Sequence, residues 1–262
     1  MDYQRIATAL LEAEKSGVPI EPLTKQNPNL TAEDAYQIQL AQVALKVMKG
    51  AKVVGKKIGL TSAVMQEMFQ VNEPDYGHLL DDMMYVDGDT LPLDSFIEPK
   101  LESEIAFVLK QDLRGPGITA VDVAAATDYV VPAFELIDSR IVDWNIKFAD
   151  TVADNGSSAR AILGGQPTPL AAVDLAHIGM NVWKNGRQID TAAGAAVMGN
   201  PLQAVVWLAN ALGNFGISLN AGEIVLSGAL AKAVPVQEGD VFSASFAHIG
   251  SVSVSFTKEE MS

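Results

Sequence analysis

The first fifty residues place apolar side chains at a helical period. Residues 3–16 carry them on one side of a predicted amphipathic helix. Thr31 followed by Asp34 resembles a capping box at the start of a second helix, and Gly50 supplies its C-terminal stop. The pattern therefore predicts a helical segment over residues 1–50 that packs on the main body of the chain.

After this segment, short apolar runs alternate with turn residues. The predicted strands are 52–58, 104–109, 129–137, 180–183, 187–190, 223–227, 241–246 and 251–256. Ser62, Thr119 and Asn200 each begin a predicted helix, and the Gly and Pro residues of 70–99 predict a long, functional loop. Regular βαβ alternation and a GxGxxG motif are missing, so the pattern favours an α+β fold with one β-rich catalytic domain over residues 51–262.

Composition narrows the class of protein. Hydrophobic residues make up 48% of the 262 residues, which is enough for a sizeable core, and the net charge of -14 argues against a nucleic-acid partner. Because the chain has no Cys, disulfides, thiol catalysis and Cys-ligated zinc are excluded. We find neither a signal pattern nor an apolar run long enough to cross a membrane, so we expect a cytoplasmic protein without a membrane partner.

Three glutamates occupy positions that favour a metal ion. Glu102 and Glu104 stand two residues apart at the head of an apolar strand, so they share one face and repel each other unless a cation lies between them. Glu135 lies inside another apolar strand, where a lone carboxylate is costly to bury. Three carboxylates suit a hard cation such as Mg²⁺ or Mn²⁺. The alternatives are a solvated strand end and an ion pair of Glu135 with Arg140 or Lys100.

Two further motifs could carry proton transfer or binding. In a strand, one of the adjacent residues Lys56 and Lys57 must face inward, and a buried lysine near a metal would have a lowered pKa. Gly59 would let a ligand approach the backbone. Asp75 follows Pro74 and could simply make a turn, and the same two lysines could lie solvated at the surface.

The motifs taken together resemble a known family. GKKIGLTS, PDYGHLLDDM, PKLESEIAFVL, PAFELIDSRI and DTVADN occur in this order. They resemble the 2-keto-4-pentenoate hydratases of meta-cleavage pathways for aromatic compounds. Close relatives of these hydratases are the 4-oxalocrotonate decarboxylases and the 2-oxohept-3-ene-1,7-dioate hydratases. All are similar to the C-terminal domain of fumarylacetoacetate hydrolases, and the resemblance covers essentially the whole chain.

The resemblance implies a fold and a metal site. It implies a mixed β-sandwich or roll with a helical N-terminal part, and a divalent metal held by Glu102, Glu104 and Glu135. It implies that Lys57 is catalytic and leaves Lys56 as its outward neighbour. Family members form homo-oligomers and can associate with a sister enzyme of the pathway, so we expect a homo-oligomer here.

The resemblance also implies an activity. Hydratases carry an Asp at the position of Asp75, where decarboxylases tend to have an apolar residue. We therefore expect water to be added to 2-hydroxypenta-2,4-dienoate, giving 4-hydroxy-2-oxopentanoate, with Asp75 activating water and Lys57 moving the dienol proton. The alternatives are 4-oxalocrotonate decarboxylation with the same metal, and a non-catalytic role beside a sister enzyme.

Substrate binding completes these expectations. We expect four residues to contact the substrate, namely Leu60, Thr61, Arg160 and Ser227. Arg160 would either recognise a second substrate carboxylate or be a surface charge. The run Ser157–Arg160 is closer to the decarboxylases than to the hydratases of the short substrate.

Overall fold

Helices and strands alternate irregularly along the chain in the computed structural model. The structure describes residues 1–257. Residues 258–262, the end of the predicted catalytic domain, lie outside the described part. The helices are α1 Tyr3–Ser16, α2 Leu23–Gln26, α3 Ala32–Met48, α4 Ala63–Phe69, α5 Ala120–Ala126, α6 Phe148–Ala153 and α7 Pro201–Gly213. The first strands are β1 Val53–Gly59, β2 Asp75–Leu80, β3 Met84–Val86, β4 Thr90–Pro92, β5 Lys100–Leu109, β6 Thr127–Ile137 and β7 Ser158–Leu163. The later strands are β8 Gly179–Lys184, β9 Arg187–Ala193, β10 Ile224–Leu226, β11 Val234–Pro235, β12 Val241–Phe246 and β13 Gly250–Thr257.

The strands form two mixed sheets. The larger sheet has the order β2-β1-β10-β5-β6-β7-β3, with β11 paired to β5, and the smaller has the order β4-β13-β12-β8-β9. Phe107 and Phe134 of the larger sheet belong to the same buried cluster as Phe242 and Phe256 of the smaller one, so the main core lies between the sheets. This arrangement confirms the predicted α+β fold. In the described residues no helix is long and apolar enough to cross a membrane.

The N-terminal helices pack beside the larger sheet. Leu10 of α1 and Ile38 of α3 are buried in one cluster with Val152 of α6. Thr31 and Asp34 form the predicted capping box of α3. The helices are thus held by a core of their own, which adjoins the strands that carry the predicted site.

The predicted helix starts after Ser62, Thr119 and Asn200 are confirmed, because each of these side chains caps its helix. The predicted long loop over 70–99 is wrong: it contains β2, all of whose residues are buried, and also β3 and β4. Gly77 was among the glycines and prolines on which the loop prediction was based. It lies within β2, and a Cβ there would come within 2.4 Å of the carbonyl oxygen of Asn155, so close packing requires the glycine.

Candidate active site with three carboxylates

The three glutamates meet on two neighbouring strands. Strands β5 and β6 are antiparallel, with Glu102 directly opposite Glu135 and Glu104 opposite Ala133. Strand β5 starts four residues earlier than expected, so Glu102 is part of the ladder and shares a face with Glu104. One carboxylate oxygen from each glutamate lies within 4.8 Å of the others. This spacing allows one cation to contact all three.

Burial makes this cluster costly without a cation. Glu104 and Glu135 are fully buried. Among the described residues, Oε1 of Glu104 and Oε1 of Glu135 lack a hydrogen-bond partner, and Oε2 of Glu135 has only the ammonium of Lys57 at 3.4 Å. The other Glu104 oxygen accepts a 2.8 Å bond from the backbone N–H of Gly228. Buried oxygens without donors are what a hard divalent cation needs as ligands, so the three residues fit such an ion.

The pKa values of the cluster reflect the same burial. Removal from water raises the pKa of Glu102 to about 7, even though Lys57 opposes the rise. Burial, reinforced by the neighbouring glutamates, raises the pKa of Glu104 well above its usual range. Burial also raises the pKa of Glu135. Protons and a metal ion therefore compete for these oxygens.

Lys57 reaches the cluster from β1. Its ammonium lies 3.4 Å from Oε2 of Glu135, and both side chains are buried. Glu135 therefore pairs with neither alternative partner, because Arg140 binds Asp154 at 2.6 Å and Lys100 lies on the ring of Trp144. The ion pair joins the proton-transfer candidate to the metal site.

The predicted lowering of the Lys57 pKa applies to a lysine beside a bound metal ion and stays a prediction; in the protein alone the direction is the opposite. Burial does lower the pKa of Lys57, but Glu135 and Asp75, followed by Glu102 and Glu104, raise it above the ordinary lysine value. Four carboxylates around one ammonium, three of them buried and Glu102 half-buried, outweigh its loss of hydration.

Lys56 lies on the opposite side of β1, as the alternation of a strand requires, but it is not solvated. Only 3% of the residue is exposed. Its ammonium contacts the carboxylate oxygens of Glu223 at 3.1 and 3.2 Å, and Asn220 donates to the same carboxylate. The outward neighbour is therefore half of a buried ion pair, and the surface-lysine alternative is wrong for both lysines.

Asp75 begins β2 opposite Gly59 of β1 and is buried. A Cβ on residue 59 would stand 2.1 Å from Oδ1 of Asp75 and 3.2 Å from the ammonium of Lys57. Gly59 thus leaves the space in which the carboxylate sits beside the lysine. Burial raises the pKa of Asp75, and Lys57 opposes this rise.

The DTVADN motif covers Lys57 from the other side. Gly156 adopts a φ of +62°, and a Cβ there would lie 3.2 Å from Cδ of Lys57. Asn155 fixes the turn, because its side chain accepts from the N–H of His78 and donates to the carbonyl of the same residue. Asn155, Gly156 and Ser157 all have a positive φ. The Asn155-Gly156 pair was the sequence signal for this turn, and the sequence analysis did not use it.

A cavity of about 1260 Å³ opens over this cluster. Lys57, Asp75 and Glu102 line it together with the predicted contacts Leu60 and Thr61. Ser227 is not part of its lining in the described residues. That side chain is fully buried and its hydroxyl has no partner.

The structure places Arg160 away from this cavity, and its contact with substrate stays a prediction. On β7, Ala161 pairs with Glu135, whereas Arg160 pairs with Leu136 and points to the opposite face. Arg160 lines a separate cavity of about 780 Å³, with its guanidinium carbon 5.2 Å from the ring centre of Phe96. Arg160 is one residue away from Ala161, the partner of Glu135, and this single step along β7 puts its side chain on the face away from the metal site.

Comparisons with known proteins identify the family to which the chain belongs. The sequence model of the fumarylacetoacetate hydrolase C-terminal family matches residues 54–257. A 2-hydroxyhexa-2,4-dienoate hydratase of Comamonas testosteroni is 48% identical, covering 95% of each chain. A 2-keto-4-pentenoate hydratase of Paraburkholderia xenovorans is 46% identical, covering 98% of this chain and 96% of its own. The structure of 4-oxalocrotonate decarboxylase from Pseudomonas putida G7, complexed with magnesium and adipate, superimposes with a TM-score of 0.95 at 39% identity, covering 97% of each chain.

Proposed function

Because the chain belongs to the fumarylacetoacetate hydrolase family, we propose that it is a hydratase of short 2-hydroxy-2,4-dienoates, formed in the meta-cleavage degradation of aromatic compounds. The substrate of reference is 2-hydroxypenta-2,4-dienoate and the product 4-hydroxy-2-oxopentanoate. One observation carries the proposal: Asp75 and Lys57 are buried together beside the three glutamates. The hydratase names of two relatives at 46% and 48% identity support it.

Glu102, Glu104 and Glu135 would hold Mg²⁺ or Mn²⁺, since both ions prefer carboxylate oxygens. The related decarboxylase structure complexed with magnesium supports this choice. When bound, the cation supplies Lewis-acid stabilisation of negative charge on the substrate oxygens at C1 and C2, worth several kcal/mol.

Lys57 and Asp75 would move the protons. In the first stage the C2 hydroxyl loses a proton and C5 gains one, which converts the dienol into a 2-oxo-3-enoate. We assign Lys57 as the shuttle for this stage, because its ammonium contacts Glu135 of the cluster. In the second stage Asp75 takes a proton from water, the hydroxyl adds at C4, and the proton is delivered to C3. The raised pKa of Asp75 suits a base that must take up a proton and release it again.

Decarboxylation of 4-oxalocrotonate is the second candidate, because a decarboxylase superimposes at a TM-score of 0.95. For that reaction Arg160 would recognise the second carboxylate of the substrate, but it lines the other cavity, which gives this candidate less support. The burial of Asp75 beside Lys57 supports hydration instead.

One assay separates the two reactions. The purified protein with Mg²⁺ or Mn²⁺ is given 2-hydroxypenta-2,4-dienoate or 2-oxo-3-hexenedioate, and ultraviolet absorbance and CO₂ release are followed. We expect turnover of the dienoate without CO₂. Asp75→Asn should lower kcat by about 10²–10⁴-fold, whereas the exposed Asp82→Asn should leave it unchanged. No turnover of the dienoate with either metal would overturn the proposal.

We further propose that the protein works as a homo-oligomer in the cytoplasm. The family resemblance supports this proposal. Light scattering of the purified protein measures the oligomeric state, and co-purification from the native host tests the expected association with a sister enzyme.

A further inference from the structure

The charges around the candidate metal site do not balance once a substrate enters. Glu102, Glu104, Glu135 and Asp75 bring four negative charges when ionised, and Lys57 brings one positive charge. A divalent cation leaves a net charge of about -1. The substrate of the proposed function carries at least one further negative charge. In a buried site an uncompensated anion is costly, so another cation is needed near the substrate.

Lys100 is placed to supply that cation. It lies on β5 two residues before Glu102, so the two side chains share a face and their Cα atoms are about 6–7 Å apart. Lys100 lines the same cavity as Lys57 and Glu102. Its ammonium contacts the ring of Trp144, and Glu98 and Glu102 are the carboxylates that act on it electrostatically. Lys57, in contrast, is already paired with Glu135.

Trp144 holds the Lys100 ammonium without neutralising it. The ammonium lies 4.0 Å from the centre of the indole ring, within the range of a cation–π contact. The indole N–H donates a 3.0 Å bond to the carbonyl of Glu98, which fixes the ring. Trp144 has a φ of +52°, an uncommon conformation for a bulky residue, so the local backbone is bent to present this ring.

We propose that Lys100 binds the C1 carboxylate of the substrate, with Trp144 as the residue that positions its ammonium. The inference rests on the proposed function, because it takes a 2-oxo or 2-hydroxy acid as the ligand. A cation held by the glutamates would engage part of the C1 carboxylate and leave an oxygen free to accept from Lys100, which stands at the next same-face position along β5.

The test separates binding from turnover. Lys100→Met removes the charge and keeps the length of the side chain, and Lys110→Met is the matched control, since Lys110 is an exposed lysine just past the other end of β5 and outside the cavity. We expect Lys100→Met to raise KM for 2-hydroxypenta-2,4-dienoate roughly 10–100-fold with kcat within a few-fold, as for loss of a charged hydrogen bond. Lys100→Arg should restore most of the affinity, and Lys110→Met should change KM less than threefold.

Pyruvate with Mn²⁺ provides a readout that needs no reaction. Its Kd, measured by calorimetry, should rise by a similar factor in Lys100→Met, while the Kd for Mn²⁺ stays within about threefold. Trp144→Leu should raise KM several-fold without lowering kcat, and Trp144→Phe should recover the loss because it keeps an aromatic face. Failure of the wild type to hydrate dienoates would affect the proposed function alone, because pyruvate binding is measured independently.

Two results would overturn the role of Lys100. One is a folded Lys100→Met protein, with unchanged melting temperature and Mn²⁺ affinity, that binds pyruvate as tightly as the wild type. The other is a KM increase confined to 2-hydroxyhepta-2,4-diene-1,7-dioate, since this would assign Lys100 to the far carboxylate of a dioate.

Discussion

The catalytic candidates of this chain are buried charges that depend on one another. Lys57 lies between Glu135 and Asp75, and each of these groups would be costly to bury alone. The ion pair of Lys57 with Glu135 connects the proton-transfer residues with the metal ligands. A substitution at one ligand should therefore affect both metal affinity and the neighbouring lysine.

Glu135→Gln tests the ligand assignment at the residue scale. The amide keeps the size of the side chain but loses the charge and offers one acceptor oxygen, so we expect the Kd for Mn²⁺ to rise at least 10–100-fold. Calorimetric titration of the metal-free protein measures this change. Glu98→Gln is the control, because Glu98 comes two residues before β5 and does not belong to the cluster. This variant should bind Mn²⁺ as the wild type does. Unchanged affinity in Glu135→Gln would remove Glu135 from the ligand set.

Gly59→Ala tests whether the space beside Asp75 is needed. The added methyl would stand 2.1 Å from Oδ1 of Asp75, so the carboxylate must move away from Lys57. We expect kcat to fall by at least tenfold while circular dichroism stays native. Gly165→Ala is the matched control, because nothing lies within 4 Å of a Cβ there. Equal activity of the two variants would show that the position of Asp75 is not important.

At the scale of elements, the sequence predicts the helix caps but not the pairing register of the strands. The helix caps at Thr31, Ser62 and Asn200 depend on neighbouring residues only, and all three are confirmed. The glutamate cluster was predictable in part, because a carboxylate within an apolar strand requires a partner wherever it lies. Two features depend on pairing with distant residues, namely the strand around Gly77 and the side of β7 on which Arg160 lies. The spacing of residues in the sequence carries no information on such pairing.

Helix α4 is the least anchored element at the cavity. None of its residues is buried, and Val64 and Met68 are about 70% and 68% exposed although they line the cavity. An element with so few buried contacts opens at a low free energy. We therefore expect the amides of α4 to exchange with deuterium much faster than those of β5, and Mn²⁺ with pyruvate to slow them. Exchange of α4 as slow as that of β5 in the free protein would contradict this prediction.

At the scale of the whole molecule, a buried polar network connects the N-terminal helices to the site. The side-chain amide of Gln39 on α3 donates to the carbonyls of Tyr76 and Val152, which leaves its oxygen to face Nδ1 of His78 at 2.9 Å. His78 Nδ1 is therefore the donor. His78 also bonds Asn155 through its backbone, so α3, β2 and the turn over Lys57 share one network.

This network predicts a pH dependence of folding. Burial, together with the nearby charge of Lys56, lowers the pKa of His78 to about 3, whereas an unfolded chain takes up this proton near pH 6.5. Between these values the unfolded state binds more protons at this group, so the contribution of His78 to stability is full above pH 6.5. It is lost at up to about 1.4 kcal/mol per pH unit as the pH falls toward 3.

His78→Asn isolates this contribution, because the amide can still donate to Gln39 while it does not titrate. The free energy of unfolding is measured in urea from pH 8 to pH 5, without metal, for the wild type and the variant. The carboxylates with raised pKa values act in the opposite direction in both proteins, so the difference between the two slopes belongs to His78.

We expect the advantage of the wild type over His78→Asn to shrink as the pH falls from 6.5 to 5. His177→Gln, at an exposed histidine, should follow the wild type throughout. Parallel slopes for wild type and His78→Asn would mean that His78 takes up its proton over the same pH range in the folded and the unfolded state. The network would then carry a charge between the N-terminal helices and the site at low pH.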